Sequence, residues 1–163
     1  MPKLHFCGKS PIRIRKAQAS DIESVGLIER QQFSVPWPEE YFSAELTNPL
    51  STFWVAVEAV SGRVIGFMVF WLIDGTIELH QVAVSSGEKR RGVASELLRF
   101  LLRTARERGI DSVYLEVRQS NAAAIGLYEK FGFRKTGQRK GYYRHPVEDA
   151  CLFSLSLPPQ SMK

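Results

Sequence analysis

The sequence is poor in cysteine and has no long apolar run. Cys7 and Cys151 are its two cysteines, which are too few and too far apart for a disulfide framework or a zinc site. Two reduced thiols are therefore expected. No apolar run approaches the ~20 residues of a membrane-spanning helix, and the first ten residues lack the apolar stretch of a secretory signal. We expect a cytoplasmic protein that binds no membrane and holds no metal.

Internal repeats, low-complexity tracts and long glycine- or serine-rich linkers are also absent. With 163 residues, of which 44% are apolar and 24% charged, the chain has the size and composition of one folded domain. We therefore expect a single domain over 1–163, with loose ends at about 1–10 and 158–163. A monomer or weak dimer is the expected state.

Positive charge is only slightly in excess of negative charge, and the net charge is +5. A positive charge favours an anionic partner, and nucleic acid is one candidate. However, basic residues alternate with acidic ones, as in RTARERG (103–109) and EKFGFRK (129–135), and no lysine-rich tail or Arg/Gly repeat occurs. We therefore expect no direct binding of nucleic acid. A solvated basic surface is the favoured explanation of the charge.

Hydrophobic periodicity predicts the element order β-α-α-β-β-β-α-β-α-β-β. In this order an apolar helix covers a mixed sheet, so we expect a mixed α/β (α+β-like) fold. Turns near 61–62 and 74–75 predict that three central strands form an antiparallel meander. Ser20, with Glu23 three residues on, fits a capping box at the start of the first helix. Bounds are predicted for six of these seven strands, at 12–17, 52–59, 63–73, 76–84, 112–117 and 149–157, and for four helices, at 20–33, within 35–48, at 93–108 and at 121–131.

A run of basic residues precedes the helix predicted at 93–108. It consists of Lys89, Arg90 and Arg91. Cations at a helix N-terminus are unfavourable, because that end carries a partial positive charge and unpaired N–H groups, unless an anion binds there. Gly92 and Ala94 keep the turn narrow, so that a ligand can approach the backbone. A strand, a basic loop and a helix N-terminus together fit a pyrophosphate, although a solvent-facing loop is an alternative.

The same stretch carries a resemblance to a known family. Motif A of the Gcn5-related N-acetyltransferase (GNAT) superfamily is similar to VAVSSGEKRRGVASELL (82–98), although Lys89 stands where that motif usually has Gln or Arg. The RimI-like branch, the bacterial ribosomal-protein alanine N-acetyltransferases, is closely similar to LEVRQSNAAAIGLYEKFGF (115–133), and also to 33–42 and 139–150. The resemblance implies a GNAT fold, with a mostly antiparallel mixed sheet flanked by about four helices.

The resemblance also implies that acetyl-CoA is the cosubstrate. The residues at the family's cofactor-binding positions are Val82, Ala83, Val84, Lys89, Arg90, Arg91, Gly92, Val93, Ala94, Ser95 and Asn121. Backbone groups of 82–84 would bind the pantetheine, and one of their N–H groups would polarise the thioester carbonyl. From the residues alone, 82–84 would be an apolar strand and Asn121 would cap its helix.

Two residues are candidates for proton transfer. Glu116 lies on the polar side of a strand whose other face carries Val113, Leu115 and Val117. An exposed strand face would explain it equally well, but the resemblance implies a general base that acts through water. Tyr128 has the helical spacing of a core aromatic, whereas the resemblance implies the general acid that protonates the coenzyme A thiolate. His80 and Glu78 are alternative candidates for the base.

The resemblance implies that the acceptor is a protein N-terminus, that of ribosomal protein S18, in a groove framed by Trp37, Tyr142 and Tyr143. From the residues alone, these aromatics could equally be packing residues. An α-amine with a pKa of about 7.8 is about one quarter neutral at pH 7.4, and a lysine amine only about one thousandth. One carboxylate base therefore suits an N-terminus better. A lysine or small-molecule amine acetyltransferase and a non-catalytic acyl-CoA-binding sensor are the alternatives.

Overall fold

The computed structural model describes residues 11–159, and its elements follow the predicted order. They are β1 Ile12–Lys16, α1 Ile22–Gln32, α2 Glu39–Glu45, β2 Ser51–Glu58, β3 Val64–Ile73, β4 Thr76–Val84, α3 Val93–Glu107, β5 Ser112–Arg118, α4 Ala122–Lys130, β6 Arg134–Tyr143 and β7 Glu148–Ser156. Among the described residues, no helix is long and apolar enough to cross a membrane. The predicted loose ends lie outside the described residues, apart from Pro158 and Pro159.

Within residues 11–159, seven strands form one sheet in the order β1-β2-β3-β4-β5-β7-β6. All neighbouring strands are antiparallel except β4 and β5, which run parallel. Asp74 and Gly75 have φ angles of 46° and 79°, which is the backbone twist that a two-residue hairpin between β3 and β4 requires. The predicted meander and the predicted mixed, mostly antiparallel sheet are both confirmed.

Helices cover both faces of the sheet and enclose two apolar clusters. On one face, α1 and α2 pack over buried aromatic residues, with Phe42 and Phe67 edge to face at 5.3 Å between ring centroids. On the other face, α3 packs with Tyr128 of α4 and with Phe133. The side chains of α3 that are buried there are Val93, Leu97, Leu98, Leu101, Leu102 and Ala105. Each fully buried leucine stabilises the fold by about 1.5–3 kcal/mol. The packed sheet therefore holds the loops at its ends in defined positions.

The start of α1 differs from the predicted capping box of Ser20 and Glu23. Asp21 is 5% exposed, and its carboxylate accepts a hydrogen bond from the Gln18 N–H at 2.8 Å. The same carboxylate forms an ion pair with Arg15 at 2.8 Å. The Arg15 guanidinium holds the pKa of the Asp21 carboxyl below its usual range. The predicted capping box of Ser20 and Glu23 was wrong. Asp21 accepts the backbone hydrogen bond before α1 instead, because its ion pair with Arg15 of β1 holds it in place.

The strands β4 and β5 pair over only part of their lengths. Their register joins 76–79 to 112–115 and goes no further. The pairing of β3 with β4 skips His80 at this point, which is a β-bulge. A bulge bends its strand and increases the local twist, so β4 turns away from β5. Residues 82–84 of β4 and 116–118 of β5 therefore border a gap in the sheet.

Candidate active site

Glu116 lies on β5, one residue beyond the last position at which β5 pairs with β4. Its side chain is 32% exposed, and Arg139 approaches it with 3.5 Å between Nη1 and Oε1. The hydroxyl of Tyr142 donates a hydrogen bond to the carboxylate, and this bond, together with burial, raises the pKa of Tyr142. Two side chains of β6 thus hold a carboxylate that is still accessible from the gap.

Tyr143 lies within electrostatic reach of this carboxylate, and Tyr128 lies near Tyr143. Tyr128 is 6% exposed and packs against Phe133, with 5.7 Å between ring centroids. Burial raises the pKa of Tyr128, and Tyr143 adds to the effect, so the hydroxyl is protonated at neutral pH. Burial and then Glu116 raise the pKa of Tyr143 to about 12. Tyr128 is therefore both a packed core residue and a protonated donor, so the two interpretations of this residue are compatible.

Arg118 is a site residue that the sequence patterns did not predict. Its guanidinium contacts the Tyr143 ring (4.4 Å to the centroid), the Glu148 carboxylate (3.2 Å), the carbonyls of Arg144 (3.1 Å) and Pro146 (3.2 Å), and the Ser34 hydroxyl (3.4 Å). It therefore ties the β6–β7 loop to the segment between α1 and α2. The available signal was its position two residues after Glu116, because alternate residues of a strand share a face.

The loop before α3 presents N–H groups and exposed cations. Gly92 caps the helix with a φ of 77°, a left-handed conformation that glycine adopts without strain. The N–H groups of 93–95 lie in the first turn, where no carbonyl of the helix can accept them. Lys89 and Arg90 are exposed beside them. Such a donor set fits a phosphate or pyrophosphate group.

Arg91 differs from its two basic neighbours. Its side chain is 8% exposed, and its Nη1 lies 2.6 Å from Oε2 of Glu88. Arg63 also contacts Glu88, at 2.5 Å, and the two arginines hold the pKa of the Glu88 carboxyl below its usual range. Arg91 therefore holds the loop in shape, while Lys89 and Arg90 carry the exposed charge.

The strand residues 82–84 have one edge at the gap. Their other edge pairs with β3, whereas no register position joins them to β5. A ligand that carries amides, such as a pantetheine chain, fits an edge of this kind. Asn121 caps α4, since its Oδ1 accepts a hydrogen bond from the Ala124 N–H at 3.2 Å. Within 11–159, no three His, Cys, Asp or Glu side chains are arranged to hold a metal ion.

A cavity of about 360 Å³ lies at the bulge of β4. It is lined by Trp37, Tyr41, Ala44, Glu45, Trp71 and His80. His80 is under the electrostatic influence of Glu116, and burial lowers its pKa. Its Nε2 lies 3.6 Å from Oε2 of Glu78, which is too long for a hydrogen bond. The cavity therefore extends from the segment between α1 and α2 to the bulge of β4.

Glu29 of α1 is a further residue that sequence patterns did not single out. It is fully buried, and its Oε1 accepts hydrogen bonds from the Trp37 N–H at 3.1 Å and from Gln81 Nε2 at 2.6 Å. Burial raises its pKa from 4.5 to about 7. Glu29 thus fixes the segment that carries Trp37 against β4. The signal was its helical spacing from Ile22 and Val25, which places an acid in an apolar stripe.

The model of the acetyltransferase (GNAT) family matches residues 22–133, about two thirds of the chain. The chain belongs to the GNAT acetyltransferase family. The matched region of this GNAT protein runs from α1 to just beyond α4. It includes the basic loop before α3, the gap between β4 and β5, Glu116 and Tyr128.

Two relatives and one crystal structure refine the placement of this GNAT protein. It is 35% identical over 147 residues to the N-alpha-acetyltransferase RimI of Mycobacterium tuberculosis, covering 86% of this chain and 89% of that protein. It is 30% identical over 146 residues to the [ribosomal protein bS18]-alanine N-acetyltransferase of Escherichia coli (strain K12), covering 88% and 97%. The crystal structure of the ribosomal-protein-S18-alanine N-acetyltransferase from Escherichia coli matches with a TM-score of 0.84, 27% identity and coverage of 94% and 99%. The predicted GNAT fold, RimI-like branch and acetyl-CoA-dependent N-acetyltransferase class are confirmed.

Proposed function

We propose that this GNAT protein transfers the acetyl group of acetyl-CoA to the N-terminal α-amine of a protein, the alanine of ribosomal protein S18. The observation that carries the proposal is the position of Glu116, accessible at the point where β4 and β5 separate. The name of the Escherichia coli relative, an S18-alanine N-acetyltransferase that covers 88% of this chain, supports the choice of acceptor.

The basic loop and the gap are the proposed acetyl-CoA site. Lys89, Arg90 and the N–H groups of 93–95 bind the pyrophosphate oxygens, because cations and unpaired donors are concentrated there. The free edge of 82–84 pairs with the pantetheine amides, and one N–H polarises the thioester carbonyl. Asn121 contacts the pantetheine region from the start of α4. When bound, acetyl-CoA supplies an acetyl group already activated as a thioester.

Two residues move the protons in the proposed reaction. Glu116 accepts, through water, the proton that the acceptor amine loses, because only a neutral nitrogen can attack. The neutral amine attacks the thioester carbonyl, and the new C–N bond forms as the C–S bond breaks. Tyr128 donates its proton to the departing sulfur, and the second proton, which the acylated nitrogen loses, restores the Tyr128 hydroxyl. Burial keeps Tyr128 protonated until that moment, which is the state that a general acid needs.

Aromatic residues from two segments frame the proposed acceptor groove. Tyr142 and Tyr143 stand edge to face, with 5.0 Å between ring centroids, and Trp37 is held across the groove through Glu29. Arg118 fixes the spacing between these segments, because it contacts both Ser34 and the Tyr143 ring. The groove therefore has a set width that suits an extended chain end.

The experiment that tests the proposal compares matched peptides by mass spectrometry. One peptide carries the S18 N-terminus with a free α-amine, the second has this amine blocked, and the third has a blocked α-amine and an internal lysine. We expect acetyl transfer from acetyl-CoA to the first peptide alone. Transfer to the lysine peptide or to small amines would assign a different acceptor, and acetyl-CoA binding without turnover would indicate a sensor.

A further inference from the structure

The cavity at the bulge of β4 combines aromatic walls with the carboxylate of Glu45. Trp37 and Tyr41 stand edge to face with 6.2 Å between centroids, and the Trp71 and His80 rings are 4.4 Å apart. Oε2 of Glu45 accepts a hydrogen bond from Trp71 Nε1 at 2.9 Å, which fixes the orientation of the indole. Aromatic faces attract cations, and the attraction is larger when a site is partly desolvated.

Negative charge is concentrated around this cavity. Glu78, Glu45 and Glu116 all favour a positive charge at His80, although the chain as a whole carries +5. Among the described residues, Glu45 forms no ion pair, and its partners are the neutral donors of Trp71 and Asn48. The Nε2 atom of His80 is buried, and no described residue forms a hydrogen bond with it. A carboxylate with no counter-ion and an unused ring nitrogen both fit a cationic donor.

We propose that this cavity binds a cationic side chain of the acceptor, arginine or lysine, close to the amine that is acetylated. Glu45 is then a specificity-determining residue. The proposal rests on the proposed function, because the occupant is part of the acceptor chain. A volume of about 360 Å³ admits one long side chain, and the cavity is bounded by the same Trp37 that frames the acceptor groove. The side chain would lie between the aromatic faces, with its charge toward Glu45.

The test compares arginine with citrulline, which has nearly the same shape without the charge, at positions two, three and four of an acceptor peptide. We expect wild-type enzyme to prefer arginine at one position by about tenfold in kcat/KM. Glu45→Gln keeps an acceptor for the Trp71 N–H but loses the charge, so the preference should disappear. Glu40→Gln removes an exposed charge from the same helix outside the cavity and should retain it.

A second variant covers the case in which Glu45→Gln does not fold. Tyr41 is 59% exposed, so Tyr41→Ala should fold and should reduce the arginine preference several-fold. Equal kcat/KM for arginine and citrulline at every position overturns the proposal. A preference that is unchanged in both variants also overturns it.

Binding measurements separate this proposal from the proposed function. The same peptide pairs are titrated by calorimetry in the presence of coenzyme A, so that no turnover is needed. A preference for arginine that depends on Glu45, in an enzyme that does not acetylate α-amines, supports the cavity assignment and overturns the proposed acceptor. Peptides that bind without such a preference, or that do not bind, overturn the cavity assignment.

Discussion

Glu88 and Arg91 form a nearly buried ion pair, with 2.6 Å between Oε2 and Nη1, inside the loop that precedes α3. Arg63 of the β2–β3 connection contacts the same carboxylate at 2.5 Å. Removing one partner of a buried ion pair is destabilising, because the remaining charge loses its compensation. Arg91 and its exposed neighbours Lys89 and Arg90 therefore have different roles, although they are adjacent in the sequence.

The first prediction separates these roles by comparing Arg90→Gln with Arg91→Gln. Arg90→Gln should raise the Kd for coenzyme A about tenfold, the typical effect of one charge-assisted contact, with little change in Tm. Arg91→Gln should lower Tm by several degrees, because Glu88 loses a partner. Calorimetry and thermal melts measure the two effects. Arg103→Gln, an exposed charge on α3, is the control, and equal behaviour of the two loop variants would contradict the division.

The second prediction tests Glu116 as the base. Glu116→Gln keeps the shape and an acceptor for Tyr142 but cannot take up a proton, so kcat should fall by about 10²–10⁴. The Kd for acetyl-CoA should be close to that of the wild type. Steady-state kinetics with the S18 peptide measure the loss. Glu78→Gln on β4 is the matched control, and a larger loss in that variant would move the base to β4.

The third prediction tests the hydroxyl of Tyr128. Tyr128→Phe keeps the ring that packs on Phe133, so Tm should change little while kcat falls by about 10²–10⁴. Tyr114→Phe, which removes the hydroxyl of a tyrosine on β5 that is 48% exposed, should leave kcat unchanged. A Tyr128→Phe enzyme with full kcat would reduce this tyrosine to a packing residue.

The fourth prediction concerns Glu29 and pH. Its carboxyl binds a proton more tightly in the folded than in the unfolded protein, since its pKa is about 7 instead of 4.5. The contribution of Glu29 to the free energy of unfolding should therefore be complete below about pH 4.5 and decrease as pH rises to 7. The expected loss is about 3 kcal/mol, since a tenfold change in proton affinity corresponds to about 1.4 kcal/mol.

Urea unfolding at several pH values measures this effect. Glu29→Gln retains an oxygen for the Trp37 and Gln81 donors but cannot titrate, so its free energy of unfolding should change less between pH 4.5 and 7. Glu23→Gln, an exposed position on the same helix, should follow the wild-type curve. A Glu29→Gln curve parallel to the wild type would show that folding does not shift the pKa of Glu29.

The sequence predicted the element order and the exposed face of β5, because periodicity reports which side of an element is buried. Periodicity does not report the partner of a side chain. Arg118 contacts Ser34, 84 residues away in the chain, and only the closed sheet brings these residues together. The same limit applies to Arg91, because the sequence showed its basic charge but not that its guanidinium faces Glu88.

Local patterns also compete with tertiary contacts. Ser20 and Glu23 have the sequence spacing of a capping box. Asp21 nevertheless accepts the backbone hydrogen bond before α1, because it also forms an ion pair with Arg15 of β1. The bulge at His80 has no sequence pattern of its own, since the flanking residues alternate as in a regular strand. The sequence therefore did not predict the gap that borders Glu116.

The short pairing of β4 with β5 has a thermodynamic consequence. Four paired positions join the halves of the sheet there, and acetyl-CoA bound in the gap as proposed would contact both halves. A ligand that binds only the folded protein stabilises it by mass action, by about 2.7 kcal/mol at a concentration of 100 Kd. The cellular supply of acetyl-CoA would then affect the stability of the folded enzyme as well as its rate.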